Sequence, residues 1–362
     1  MSLKLRFSEK LNLFGKSQKH NRVGLDIGSC SIKAVELRSS GRNTCELAAY
    51  GFEALSPDWV VDGAIAAPAP IADAVRSVFT SQRIKNDDVV TAVSGHSAIV
   101  KKISIHSRPE EDFVETVRWE AEQHLPFDID DVNFDFQIIG ESTKTDMVDV
   151  LFVAAKKDII QNYTRVLKQA GTNPVILDVN AFALLNAYEF NYEPEKDGTA
   201  ALLNIGGNIM TINLVSGTEF LFTRDISVGG QRYTEFLQKE FNLDYDRAQA
   251  LKHGEAVETV SPTDMQYVID SVTEILCMEV QKTFDFFKST STVNSIDRML
   301  VSGGAIHTPG LLEALGNNFD IPVEKFDSFR KIHVDERQFP LIKEQAADMA
   351  IAVGLALRSD EV

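Results

Sequence analysis

Residues 24–33 read Gly24-Leu25-Asp26-Ile27-Gly28-Ser29-Cys30-Ser31-Ile32-Lys33, between two apolar, strand-like runs. That arrangement predicts the tight turn of a β-hairpin. A turn of this kind aims several backbone N–H groups at one point and forms a nest for an anion. Gly28 lets the backbone come close to a ligand. Lys33 adds a point charge suited to phosphate oxygens. Asp26 adds a hard oxygen for a magnesium ion or its water shell. Taken alone, the stretch is equally well explained as an ordinary hairpin with a polar turn.

Two further segments fit the same site. Residues 199–215, TAALLNIGGNIMTINLV, read as strand, Gly206-Gly207 turn, strand; residues 298–311, RMLVSGGAIHTPGL, run an apolar strand into Gly303-Gly304 and a helix start near Pro309. In these three places, in this order, the chain resembles the actin-like ATPase superfamily, which holds ATP with one hairpin per half and a strand–GlyGly–helix corner. In that pattern the first hairpin carries a Lys seven positions after its Asp, and Asp26 and Lys33 keep the spacing. The resemblance implies an α/β, actin-like (ribonuclease H-like) two-domain fold.

The length of 362 residues suits two domains. No apolar run reaches the ~18 residues that span a membrane. The N-terminus has no continuous apolar core with a small-residue cleavage site, so no secretory signal is expected. Cys30, Cys45 and Cys277 form no CxxC pair, which points to a reducing cytosol, and the scattered histidines give no zinc spacing. A formal net charge of −17 disfavours nucleic acid as a partner. The charge is uneven, because residues 1–22 carry six basic side chains against Glu9 alone. Leu3, Phe7, Leu11 and Phe14 recur at helical spacing there, so this leader reads either as an amphipathic helix with weak affinity for anionic lipid or as a solvated extension.

Along the chain, strands are expected over 23–37 and 45–54, a helix over 71–81, and strands over 88–94 and 98–105. A helix follows, with Ser107 and Glu110 as a capping box and Pro126 as its end. Strands near 132–139 and 147–155 precede a helix capped by Asp158 and stopped by Gly171. Residues 96–173 therefore read as a small α+β module inserted in a first domain made of 23–95, 174–190 and 341–362. A second domain spans 198–340, with a long helix from about Pro262 to Phe287. Ala346 to Leu357 is an Ala- and Gly-rich helix suited to close packing. No internal repeat stands out.

The inserted module narrows the resemblance. Trp119-Glu120-Ala121-Glu122-Gln123-His124-Leu125-Pro126-Phe127, Asp178-Val179-Asn180-Ala181-Phe182-Ala183-Leu184 and Ala248-Gln249-Ala250-Leu251-Lys252 are similar to the PilM family of type IV pilus assembly proteins. The relation to the cell-division protein FtsA is more distant, because FtsA ends in a membrane helix for which this chain has no counterpart. The PilM resemblance implies a cytoplasmic protein at the inner-membrane face that binds the cytoplasmic N-terminal tail of PilN and connects to the pilus motor ATPases. Weak self-association is a further partner class. Arg118, Trp119 and Phe127 are candidates for the peptide groove; core packing is the alternative for the two aromatics. An FtsA-like filament protein and a sugar-kinase-like phosphotransferase are the competing functions. The kinase reading would need Asp178 as its base, and a helix-capping role for that carboxylate is the plainer one.

Carried over position by position, the resemblance implies that Gly28, Ser29 and Cys30 present backbone N–H groups to phosphates. Lys33 pairs with the β-phosphate region, and Asp26 orients magnesium through water. Gly206, Gly207 and Asn208 cradle the terminal phosphates. Gly303, Gly304, Ala305 and Ile306 lie near the adenosine. Glu279 and Lys282 are one helical turn apart and contact the ribose and adenine, or form a surface ion pair. Asn204 stands where active members begin the second hairpin with Asp. Asn180 stands where hydrolytic members position the attacking water; it can orient water but is a poor base. The expectation is ATP and magnesium binding with slow or absent hydrolysis.

Overall fold

The computed structural model describes residues 22–41, 44–106, 110–141, 146–192, 194, 198–293 and 295–358. Residues 1–21 of the basic leader, and Ser107 of the expected capping box, fall outside what is described. The first sheet opens with β1 (Arg22–Ile27) and β2 (Ser31–Gly41), antiparallel, with Asp26 opposite Lys33. Every position of β1 is buried, as for a strand covered on both faces. β3 (Thr44–Ala54) completes a meander, and the short pair β4 (Val60–Val61) and β5 (Ala64–Ile65) leads to α1 (Pro68–Ser81). Pro68 occupies the first helical turn, where a missing N–H costs nothing, so α1 starts three residues before Ile71. β6 (Asp88–Val93) then runs parallel to β1.

The inserted module is β7 (Ala98–His106), α2 (Glu110–Glu122), β8 (Val132–Glu141) and β9 (Met147–Lys156), with sheet order β7-β9-β8. Successive residues of β9 serve different cores. Val150, Phe152 and Ala154 pack with Phe113 and Val117 inside the module, while Leu151, Val153 and Ala155 join the core of the first domain. This is the two-residue period of a strand used as a joint. The next helix, α3 (Lys157–Ala170), turns Tyr163, Val166 and Leu167 into the first-domain core and lies against α1. The module thus ends near Lys156, not at 173. Asp158 is not the cap of α3. It sits inside the first turn and accepts from the Ile159 N–H at 2.7 Å, while Gly171 closes the helix in the left-handed conformation at φ 88°. β10 (Asn173–Val179) pairs with β6, and α4 (Asn180–Asn191) follows directly.

The second sheet repeats the plan. β11 (Thr199–Ile205), β12 (Met210–Ser216) and β13 (Glu219–Ile226) form a meander. The helices α5 (Gln231–Phe241), α6 (Tyr245–Lys252) and α7 (Pro262–Thr290) come next, the last capped by Ser261, whose hydroxyl accepts from the Asp264 N–H. β14 (Arg298–Ser302), α8 (Leu311–Phe319) and β15 (Val323–Lys325) complete it, with order β13-β12-β11-β14-β15. The first sheet has β3-β2-β1-β6-β10 in the same places. A repeat is therefore present in topology, although none is visible in residue identity.

β16 (Ile332–His333) returns to pair with β3, and Phe326, Phe329, Ile332 and Phe339 pack in the first core. The second domain accordingly closes near Lys325, well before residue 340. The chain then runs through α9 (Ile342–Gln345) to α10 (Ala350–Ala356), which lies backbone to backbone against β1 and α4. A Cβ on Gly24 would come within 1.9 Å of the Ala352 carbonyl oxygen, and one on Gly354 within 1.7 Å of the Ala183 carbonyl oxygen.

Candidate nucleotide cleft

The β1–β2 turn, the β11–β12 turn and the corner after β14 converge on one cavity of about 360 Å³ between the two domains. Asp26, Gly28, Ser29, Cys30, Lys33, Asn180, Asn204, Gly206, Gly207, Gly303, Gly304 and Ala305 all line it. A pocket of this volume suits a ligand of nucleotide size.

The two turns touch. The Asn208 N–H donates to Ser29 Oγ at 3.0 Å, and Cys30 Sγ lies 3.9 Å from Gln231 Oε1. Gly207 makes the approach possible, since a Cβ there would meet Cys30 Sγ at 2.3 Å and Ser29 Oγ at 2.7 Å. Two expected phosphate donors are engaged within their own turns: the Gly28 N–H donates to the Ser31 carbonyl at 3.0 Å and the Gly206 N–H to the Ile209 carbonyl at 2.9 Å. These amides close the hairpins geometrically; the expected phosphate donor Asn208 is likewise engaged at Ser29 and does not line the cavity, so the anion is left to the remaining turn residues. Gly303 takes φ 88° against the Ile205 carbonyl, and a Cβ on Gly304 would meet nothing within 4 Å, so this corner exposes backbone to open cavity.

Lys33 Nζ lies 3.2 Å from Asp26 Oδ2. Burial alone would lower the ammonium's pKa, but Asp26 and Asp348 outweigh it and the value is raised. Burial raises the Cys30 thiol, against the pull of Lys252. Among the described residues no three His, Cys, Asp or Glu side chains form a metal cage. The donor set suits a magnesium that keeps its waters and takes phosphate oxygens, with Asp26 as an outer carboxylate.

Several expected residues are placed elsewhere. Glu279 and Lys282 pair with each other at 2.5 Å on α7, Arg224 stands 4.0 Å from the same carboxyl group, and neither residue lines the cavity. Ile306 is buried in the second core. Asp178 does not line the cleft either. It is 2% exposed, ion-paired with Arg358 at 3.2 Å, and accepts from the Val179 N–H at 2.9 Å, and Val179, not Asp178, is the cap of α4. The base required by a phosphotransferase is thereby committed to a buried ion pair.

The cleft also holds residues that sequence reasoning missed: Gln231, Tyr245, Gln249, Lys252, His253, His307 and Asp348. Gln249 and Lys252 are three apart on α6, which Asp244 caps by accepting from the Arg247 N–H at 2.9 Å. Gln249 Nε2 donates to Tyr245 Oη at 2.6 Å. Lys252 is buried, and burial lowers its pKa. The available signal was a lysine on the apolar Ala248–Leu251 segment. The same spacing at Glu279–Lys282 joins opposite charges and is the more conspicuous pair in the sequence.

A second cavity of about 260 Å³ lies where the module meets both domains, lined by Gly95, Val100, Phe127, Val179, Asn180 and Asp225 among others. Phe127 lines it, beneath Lys156 at 4.8 Å from the ring centroid. Arg118 pairs with Asp130 instead, and Trp119 is 67% exposed on α2, so it belongs neither to this cavity nor to the core.

Duplicated sheets with a turn-lined cleft between them define an actin-like ATPase fold. At the level of fold alone, the chain is similar to ethanolamine utilization protein EutJ from Carboxydothermus hydrogenoformans (14% identity, TM-score 0.55, 95% of this chain and 92% of that one). It is likewise similar to MreB5 of Spiroplasma citri bound to AMPPNP (13% identity, TM-score 0.53, 93% and 95%). The family described as type IV pilus assembly protein PilM matches residues 24–360, and the chain belongs to that family. The PilM–PilN type IV pilus biogenesis complex superposes with TM-score 0.85 at 28% identity, over 95% of this chain and 100% of that one.

Proposed function

We propose that this chain is an ATP-binding scaffold of the type IV pilus machine. It holds the cytoplasmic N-terminal tail of PilN and links the inner-membrane assembly to the motor ATPases. The observation that carries the reading is the match to the PilM–PilN complex along the whole of that chain. The second cavity, where the module meets both domains, offers an apolar wall with Phe127 and Val100 for an extended peptide.

Magnesium nucleotide, when bound, supplies a polyanion that both halves recognise. Lys33 offsets its charge, the 206–208 turn approaches from the second domain, and Gln249 and Lys252 line the same cleft. Neither Asn180 nor Asn204 brings a carboxylate to the cleft; Asn204 Oδ1 accepts from Ser302 Oγ at 3.2 Å. An amide orients water without taking its proton, so turnover is slow or absent. Placement at the inner-membrane face is part of the same proposal. Among the described residues no helix is long and apolar enough to cross a membrane.

The test is calorimetric titration with the PilN tail peptide, together with a phosphate-release assay on the full chain. Micromolar peptide binding and bound ATP without sustained phosphate release are expected. No peptide binding to a nucleotide-loaded protein would refute the partner, and robust turnover would refute the stalled site.

A further inference from the structure

The two cavities share a wall, and one carboxylate is built into it. Asp225, on β13 of the second domain, accepts from the Gly95 backbone N–H at 2.5 Å and from Thr211 Oγ1 at 2.6 Å. Thr211 lies opposite Asp225 across the β12–β13 pairing and opposite Asn204 across β11–β12, and it lines the nucleotide cleft. Asp225 and Gly95 line the other cavity. Gly95 is the joint between β6 and the module. It takes φ 65°, and a Cβ there would meet Ile209 Cδ1 at 2.7 Å, with Ile209 part of the β11–β12 turn. Ser94, one residue earlier, faces the cleft, and Asn180 lines both cavities.

We propose that Asp225 is a positioning residue that couples the two cavities, clasping the Gly95 joint to the β11–β12 turn so that nucleotide in the cleft sets the wall of the peptide groove. The inference rests on the scaffold reading for its peptide and on the hydrogen bonds alone for its route. A charge-assisted bond to a backbone N–H is among the stronger ones and fixes direction as well as distance. Its carboxylate is shared with a hydroxyl whose strand carries the phosphate-facing turn. Any shift of that turn on binding nucleotide moves Thr211, then Asp225, then the amide at the base of β7. Such coupling is reciprocal, so peptide in the groove tightens nucleotide by the same factor.

Two measurements on the full chain test this. The first is the affinity of the PilN tail peptide with and without MgATP, for wild type, Asp225→Asn and Thr211→Val. Nucleotide is expected to tighten the peptide by about fivefold or more in wild type, and the ratio should fall towards one in both variants, whatever their absolute affinities. The second is hydrogen exchange over residues 94–98 with and without MgATP. Nucleotide should slow exchange there in wild type and not in Asp225→Asn. If the peptide fails to bind while the exchange response and its loss persist, the partner is wrong and the clasp stands. A wild-type exchange pattern blind to bound nucleotide, a peptide affinity equal or weaker with nucleotide, or an Asp225→Asn variant that keeps the full response would overturn the clasp.

Discussion

At the scale of residues, the cleft contains side chains that the unliganded fold would be more stable without. Lys252 is the clearest. Burial lowers its pKa below that of a free lysine, which means folding works against its charge near neutral pH. Lys252→Met should therefore stabilise the nucleotide-free protein by about 1 kcal/mol, within the usual range for removing a functional strain, while weakening nucleotide binding. Thermal unfolding and nucleotide titration on the same variant check both halves; a variant that loses stability and keeps its affinity would reverse the reading. His307 carries the opposite sign. Its ring bonds Asp348 at 2.9 Å, and that contact raises its pKa against the lowering effects of burial and Lys325. A raised histidine contributes stability that is complete below its unfolded value of about 6.5 and is lost as pH rises through the folded value. His253 is lowered by burial, so its own titration falls on the acid side of the same reference and leaves the alkaline window to His307. From about pH 6.5 upward, wild type should lose thermal stability relative to His307→Gln, whose difference curve is flat if the pair is not formed.

At the scale of elements, the packing of α10 is built by deleting side chains. α10 reaches β1 and α4 only because Gly24 and Gly354 present no Cβ to the opposing carbonyls. Gly354→Val should cost about 3 kcal/mol or more, since the obstacle is backbone and cannot rotate away. Gly316→Ala, inside α8 with nothing within 4 Å of the new methyl, should instead gain about 0.5–1 kcal/mol. Urea unfolding of the two variants gives the contrast, and equal effects would mean that composition, not contact, decides. The Ala- and Gly-rich run at 346–357 makes this packing legible in the sequence, as periodicity does for α1 and for the length of α7. What is not legible follows one pattern. The allegiance of α3, the return of Phe326 to Phe339 to the first core, and the duplicated strand order are all decided by partners distant in sequence. Local periodicity says which face is apolar and not which core receives it. In the cleft, the Gly pairs and the Asp26–Lys33 spacing can be read because turn chemistry is local. Lys252, His307 and Asp348 come from segments about 55 and 40 residues apart that only the fold brings together.

At the scale of the molecule, two sheets of the same order share one cleft and one packed seam, where Leu202, Val215, Phe220 and Leu300 of the second sheet join the first core. The Asn213 side chain donates to the Ala181 carbonyl at 2.6 Å, Arg298 reaches Tyr188 Oη at 2.7 Å, and the turns meet at Ser29 and Asn208. In the cleft, a ligand held by both turns adds its own contacts to that seam. A ligand that touches both halves stabilises the folded protein by about 2.7 kcal/mol at a hundredfold excess over its dissociation constant. MgATP and a non-hydrolysable analogue should therefore raise the unfolding temperature by the same several degrees, because the linkage uses binding and not turnover. Gly207→Val places a branched side chain where Cys30 and Ser29 already stand. The packed cores, in which none of these three residues takes part, should survive it, with an unfolding temperature near wild type in the absence of ligand. The nucleotide-dependent shift should vanish, since the turns no longer approach the same phosphates together. A Gly207→Val protein that kept the full shift would mean that one half binds nucleotide alone, and the joining role of the ligand would have to be abandoned.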